Sequence, residues 1–136
     1  MGVRFGSDIG LREEDLEKLE PEIAYVTSNT DIEAIALVSN EGYQIAFAAV
    51  PGYNTDSDAL SGLASALLMT SKSTMNAVMN EQLNEIIVRA GDGYIVVTNA
   101  GRFVLVGAGR NIKNLQTTVK VFRTATARIS SSFPEQ

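Results

Sequence analysis

The sequence predicts a small α/β protein, with an antiparallel sheet covered by helices on both faces, and three observations carry that expectation. Apolar residues recur at three- and four-residue steps in the first, middle and last parts of the chain, the mark of amphipathic helices. Between them lie five short segments rich in β-branched and aromatic residues, joined by glycine-bearing turns as one hairpin and one meander. Two of these segments, containing Ile35-Ala36-Leu37-Val38 and Phe103-Val104-Leu105-Val106, are apolar in succession, so both of their faces should be buried.

In chain order, Leu11, Leu16, Leu19, Ile23 and Val26 form one stripe over residues 11–29, with Arg12, Glu13, Glu14, Glu17 and Lys18 outside it. Pro21 falls within this first helix and implies a kink or a fresh helix start there. Strands are expected from Ile32 to Ser39 and from Tyr43 to Val50 around a turn at Gly42, followed by a break at Pro51-Gly52-Tyr53-Asn54. Asp56, Ser57 and Asp58 are N-cap candidates for a long helix running to about Glu81. Three further strands follow, Asn84 to Ala90, Tyr94 to Asn99 and Arg102 to Gly107, and a last helix opens near Asn111. The order is helix, two strands, helix, three strands, helix. Residues 130–136 read as a frayed tail.

Composition narrows the chemistry. At 136 residues, 45% of them hydrophobic and 20% charged, the chain has the apolar content to fold as one domain spanning residues 1–136. It has no cysteine and no histidine, which removes thiol nucleophiles, Ser-His triads, disulfides and the usual zinc ligand sets. No cofactor is expected, and neither is an enzyme. The start of the chain carries Arg4 and Asp8 and no apolar run, unlike a signal peptide, so a cytoplasmic protein is expected. A net charge of −5 argues against a nucleic-acid binder. The charge is uneven: residues 1–58 hold twelve acids and three bases (−9), and residues 59–136 hold four acids and eight bases (+4).

The middle helix carries the functional reading. Residues 59–80 contain Lys72 as their only charge, which an ordinary surface helix would not show. One stripe, Leu60, Leu63, Leu67, Ser71, Thr74 and Val78 with Ala64 and Leu68 beside it, suffices to cover a sheet. The opposite stripe, Gly62, Ala66, Met69, Ser73, Asn76, Ala77 and Asn80, is small, uncharged and partly apolar, as the centre of a protein interface tends to be. It is too short and too interrupted for a membrane span. The strand that follows, with Ile86 and Val88 on one side and Ile87 on the other, should lie at a sheet edge and invite pairing. A dimer closed by this helix and this edge would hide both.

Other motifs are weaker. Gly107-Ala108-Gly109-Arg110-Asn111 lacks the spacing of a phosphate loop and reads as a turn needing flexible glycines. The pairs Glu13/Glu14, Glu20/Glu22 and Asp56/Asp58 suit solvation and capping better than acid-base work. Arg102 and Arg110 read as solvated charges. Tyr53 is a candidate partner anchor, and Tyr43 and Tyr94 are expected to pack beside turns.

The run from DIEAIALVSNEGYQIA through DSDALSGLASALLMTSKS to NEIIVRAGDGYIVVTNAGRFVLVGAGRN resembles the roadblock family of dynein light chains and bacterial or archaeal GTPase regulators, over about residues 12 to 130. The resemblance implies a five-stranded antiparallel sheet, with the long middle helix on one face and the two terminal helices on the other. It implies dimerisation, as a homodimer or with a second roadblock-like chain, through the middle helix and the strand after it. It further implies a scaffold or regulator for a small Ras-like GTPase, or an adaptor in a motor complex. Pro21 departs from the family's uninterrupted first helix. The rival reading is a small-molecule sensor with a ligand between sheet and helix. The apolar density of Ile35, Leu37, Phe47, Leu63, Leu67, Val97 and Leu105 favours a filled core instead.

Overall fold

A computed structural model of the chain describes residues 1–6, 9–53 and 56–135. Its elements are β1 (Arg4–Phe5), α1 (Glu13–Asn29), β2 (Ala34–Ser39), β3 (Gln44–Ala49), α2 (Ser57–Met79), β4 (Glu85–Arg89), β5 (Tyr94–Ala100), β6 (Phe103–Gly109), a single 3-10 turn (Ile112–Asn114) and α3 (Leu115–Ser132). The five expected strands and three helices are all present, but the chain order differs from the expected one, because a further strand, β1, precedes α1. Asp8, Asn54 and Gln136, named above in the chain start, the loop break and the tail, lie outside the described residues.

The sheet has six strands rather than five, in the order β1-β3-β2-β6-β5-β4 with every pairing antiparallel. The added strand pairs Arg4 with Phe47 and Phe5 with Ala46. Two residues carry no readable alternation, so this strand is created by its neighbour rather than by its own sequence. The neighbour is irregular: the β2–β3 register shifts between Leu37 and Val38, leaving Ile45 without a partner in β2. The Gly6 N–H donates to the Ile45 carbonyl at 2.9 Å, so the chain start takes up a polar group at the bulge.

Strand alternation divides the core into two layers. Ile35, Leu37, Val96 and Leu105 pack with Leu19, Ile23 and Val26 of α1 and with Val119, Phe122 and Ile129 of α3. Ala34, Ala36, Val38, Val97, Val104 and Val106 pack with Leu60, Ala64 and Leu68 of α2. One long helix therefore covers one face and the two terminal helices cover the other. Pro21 neither ends nor restarts α1, which runs unbroken from Glu13 to Asn29. It sits on the exposed side, where water can hydrate the carbonyl left without its N–H partner.

The helix ends follow local chemistry. The Arg12 N–H donates to the Asp15 carboxylate at 3.0 Å, and the Asp58 N–H to the Asp56 carboxylate at 3.0 Å, which caps α2. Asn80 ends α2 in the left-handed region, with its N–H bonded to the Asn76 carbonyl. The chain end is not frayed as expected: α3 extends to Ser132, and Phe133 is buried against Phe103, with ring centroids 5.4 Å apart. Glu135 then pairs with Lys72 of α2 at 2.9 Å. A buried aromatic close to the chain end anchors what composition alone marks as a tail.

The β5–β6 turn depends on that anchor. Gly101 adopts φ +66°, and a Cβ placed there would lie 2.0 Å from the Phe133 carbonyl oxygen. The glycines of Gly107-Ala108-Gly109 have a related role and are not the flexible turn expected: both lie within β6. A Cβ at Gly107 would stand 2.5 Å from the Phe122 ring, and one at Gly109 2.6 Å from the Tyr94 ring. They make room for aromatic side chains. Tyr94 is buried as expected and shares a 2.7 Å hydrogen bond with the Thr118 hydroxyl, whereas Tyr43 is exposed rather than packed.

The face that α2 turns to the sheet differs from the expected one. Leu60, Ser61, Ala64, Ser65 and Leu68 are buried, whereas Leu63, Thr74 and Val78 are exposed and Leu67 is half-buried. Two serines set this rotation. The Ser61 hydroxyl is 3.2 Å from the Gln44 side-chain oxygen, and the Ser65 hydroxyl donates to the Asn40 carbonyl at 3.0 Å. A stripe of Ser and Ala lets the helix backbone approach the sheet closely and satisfies polar groups of the β2–β3 hairpin.

Three outcomes follow. Leu68→Ala lowers the unfolding free energy by about 2–5 kcal/mol, as for a buried leucine, read by urea denaturation. Gly101→Ala costs on the order of 1–3 kcal/mol in the same assay through backbone strain, and loosens the Phe133 anchor. Burial raises the Tyr94 phenol above its ordinary value of 10.0, the Thr118 hydrogen bond opposes this, and the Asp31 charge adds to the rise. The folded pKa being the higher one, this stability is complete below pH 10 and falls as pH rises through the folded value; thermal melts at alkaline pH show a shallower loss for Tyr94→Phe.

Candidate interaction surface

The rotation of α2 leaves its outward side more apolar than its sequence stripe suggested. Gly62, Ala66, Met69, Ser73, Asn76, Ala77 and Asn80 are all exposed. On the same side Leu63 and Met69 have 52% and 62% of their surface open to solvent, while Val78 and Met79, five turns on from the buried Leu60 and Ser61, are exposed in the last turn of the helix. Leu63, assigned to the sheet by periodicity, thus joins the outer face, whereas Val78 keeps the sheet-side phase of Leu60 and is uncovered only because it lies in the last turn. Reading the serines as the sheet-facing residues would have found Leu63 on the outer face, but apolar periodicity favours leucine over serine for burial. The only charge of this stretch, Lys72, is drawn aside by Glu135.

β4 lies at the sheet edge and pairs only with β5 among the described residues. Ile86 and Val88 face the α2 side, opposite Val97 and Ile95, while Ile87 faces the α3 side opposite Val96. Ile87 and Val88 remain 41% and 40% exposed, and Ile86 is half-buried. The α2 surface and this edge are adjacent, since β4 follows α2 after a short link. An exposed strand with β-branched side chains at its edge is a template for another strand.

Several of the remaining sequence candidates pair within the chain. Arg110 pairs with Glu33 at 2.7 Å, and Glu22 with Arg128 at 3.3 Å. The Arg102 guanidinium lies 5.0 Å from the Phe133 ring centroid. Tyr53 is half-buried with its ring 6.5 Å from that of Phe47. It lines an open cleft of about 290 Å³ at the sheet end with Glu33, Val88, Ile95, Ala108 and Arg110. The space between α2 and the sheet is filled by Leu60, Ala64 and Leu68 against valines and alanines. Among the described residues no cluster of three or more acidic side chains suits a metal ion. No described helix is long and apolar enough to cross a membrane.

The family model of the Roadblock/LC7 domain matches residues 23–108. No curated protein sequence matches the chain. Among solved structures, Myxococcus xanthus MglB superposes with a TM-score of 0.80 at 18% identity, over 92% of this chain and 94% of that one. The gliding protein MglB of Thermus thermophilus gives 0.79 at 13% identity, over 94% and 97%. An MglB with a tetrameric arrangement gives 0.76 at 15%, over 93% and 98%. At such identities the likeness is one of fold. The family model, covering most of both core layers and more than half of the residues, is the stronger finding, and the chain belongs to the Roadblock/LC7 domain family.

Proposed function

We propose that this chain is a non-enzymatic, cytoplasmic dimer that serves as a scaffold or regulator for a small Ras-like GTPase. The observation that carries the dimer is the apolar outer face of α2 beside the open edge of β4. Gly62, Ala66, Met69, Ser73, Asn76, Ala77 and Asn80, together with Leu63, form the helix part of the contact, and Ile86, Ile87 and Val88 form the strand part. Removing these side chains from water favours association through the hydrophobic effect, against the rigid-body and side-chain freedom that pairing costs. A solved relative with a tetrameric arrangement supports self-association in this fold. The GTPase is supported by family membership, since roadblock proteins characteristically hold or regulate Ras-like GTPases. The paired α2 helices would present the platform, with Tyr53 at its margin. A motor or adaptor complex is the other assembly that the family suggests. The filled layer between α2 and the sheet weighs against the ligand-sensor alternative.

Sedimentation at micromolar concentration should give a dimer, and Met69→Asp should weaken it while leaving the circular dichroism spectrum unchanged. The immobilised protein should retain a Ras-like GTPase from its native cell, more strongly in one nucleotide state than in the other. A wild-type monomer would remove the dimer, and retention of no GTPase would remove the partner.

A further inference from the structure

The main-chain groups of β4 fix which of its residues are open to a partner. On the inner side the Ala90 N–H donates to the Gly93 carbonyl at 2.8 Å, and the Asn99 N–H approaches the Asn84 carbonyl at 3.5 Å. Both contacts continue the β4–β5 register. Antiparallel neighbours alternate between hydrogen-bonded and non-bonded pairs. Asn84, Ile86, Val88 and Ala90 therefore turn their polar backbone groups inward, and Glu85, Ile87 and Arg89 turn theirs to the free edge.

The three outward residues are charge-complementary about their centre. An antiparallel strand completes this ladder only if its own outward residues stand opposite them. When that strand is β4 of a second copy and the two-fold axis passes through Ile87, Ile87 meets Ile87, Glu85 meets Arg89 and Arg89 meets Glu85. Every pair then exchanges both of its N–H···O bonds. Moving the axis to Ile86 sets Glu85 against Ile87, and moving it to Val88 sets Arg89 against Ile87. Placing it on Glu85 or Arg89 brings like charges together, which destabilises a cross-strand pair.

The side chains are poised for the central register. Arg89 has no ion-pair partner in the protomer among the described residues. Glu85 is held on the same face of the sheet by Arg123, whose Nε lies 3.1 and 3.2 Å from its two oxygens. In the paired state the Glu85 carboxylate would lie between Arg123 of its own chain and the Arg89 guanidinium of the second copy.

We propose that β4 is a self-complementary edge, in which Glu85 and Arg89 select a second copy of this chain in the register centred on Ile87. This rests on the dimer reading given above and deepens it, since it specifies a homodimer rather than a pair with a second roadblock-like chain. The edge discriminates because a foreign strand must offer a cation and an acid at the same four-residue separation and in the reverse order.

Charge reversal tests it. In homodimers of Glu85→Arg, or of Arg89→Glu, both cross-strand pairs become like-charged, and each variant alone should dimerise about tenfold or more weakly than wild type by analytical ultracentrifugation. Mixed in equal amounts, the two variants should recover a dimer of near wild-type affinity, because every pair across the edge is then of opposite sign; a misfolded variant could not be rescued this way. The chain has no native cysteine, so Ile87→Cys supplies a single thiol. Its copies should oxidise to a covalent dimer, as hydrogen-bonded pairs hold Cα atoms about 5.5 Å apart, within disulfide reach, and Val88→Cys should not. A wild-type dimer whose single variants associate normally, and whose mixture shows no preference for the mixed pair, would overturn this register and leave the dimer standing. A wild-type monomer would overturn the dimer itself.

Discussion

The close contact between α2 and the sheet governs the rest of this molecule. It is made by a narrow stripe of small residues, Ser61, Ala64 and Ser65, flanked by Leu60 and Leu68. Ser65 donates to the Asn40 carbonyl of the β2–β3 hairpin, and the Ser61 hydroxyl lies within reach of both the Gln44 side-chain oxygen and the Ser57 carbonyl of its own helix, so rolling the helix to bury its larger side chains would break these contacts. Leu63 and Met69 are consequently turned outward. The hydrogen bonds of two serines thus produce an apolar surface on the far side of the helix.

The opposite layer has a different character. Phe122 and Tyr94 fill it with large rings, and the sheet makes room for them by placing glycine at 107 and 109 within a strand. Phe133 closes its end, leaving Glu135 to reach Lys72 on the other layer. The chain terminus therefore joins the two faces of the sheet around the β5–β6 turn. Interior glycines weaken a strand in isolation, but here their cost is offset by aromatic burial directly above them.

The charge distribution also acquires a structural meaning. Six of the twelve acids of the first half lie on α1, while the bases of the second half are spread over α2, β4, the β5–β6 turn, the β6 end and α3. Glu22–Arg128, Glu33–Arg110 and Glu85–Arg123 join acids to bases across elements. Exposed pairs of this kind each contribute little to stability. Their effect is to orient side chains, and at Glu85 that orientation places a carboxylate beside the open edge.

Much of this was determined by the sequence alone. Period and turn chemistry are local properties, so the three helices, five of the strands, the edge position of the last meander and the absence of thiol or imidazole chemistry are legible without coordinates. The roadblock likeness is legible because the order of those elements is itself a pattern. What only the tertiary structure decided depends on contacts between segments distant in the chain. The two-residue β1 exists because a bulge in β3 exposes a carbonyl to it. The rotation of α2 is set by acceptors on the hairpin, Phe133 becomes an anchor because Gly101 leaves room for its backbone, and the outward phase of β4 is fixed by which of its amides β5 has already taken. Hydrophobic periodicity records how much of a helix should be buried, but its direction is chosen by the polar groups that must also be satisfied when it gets there.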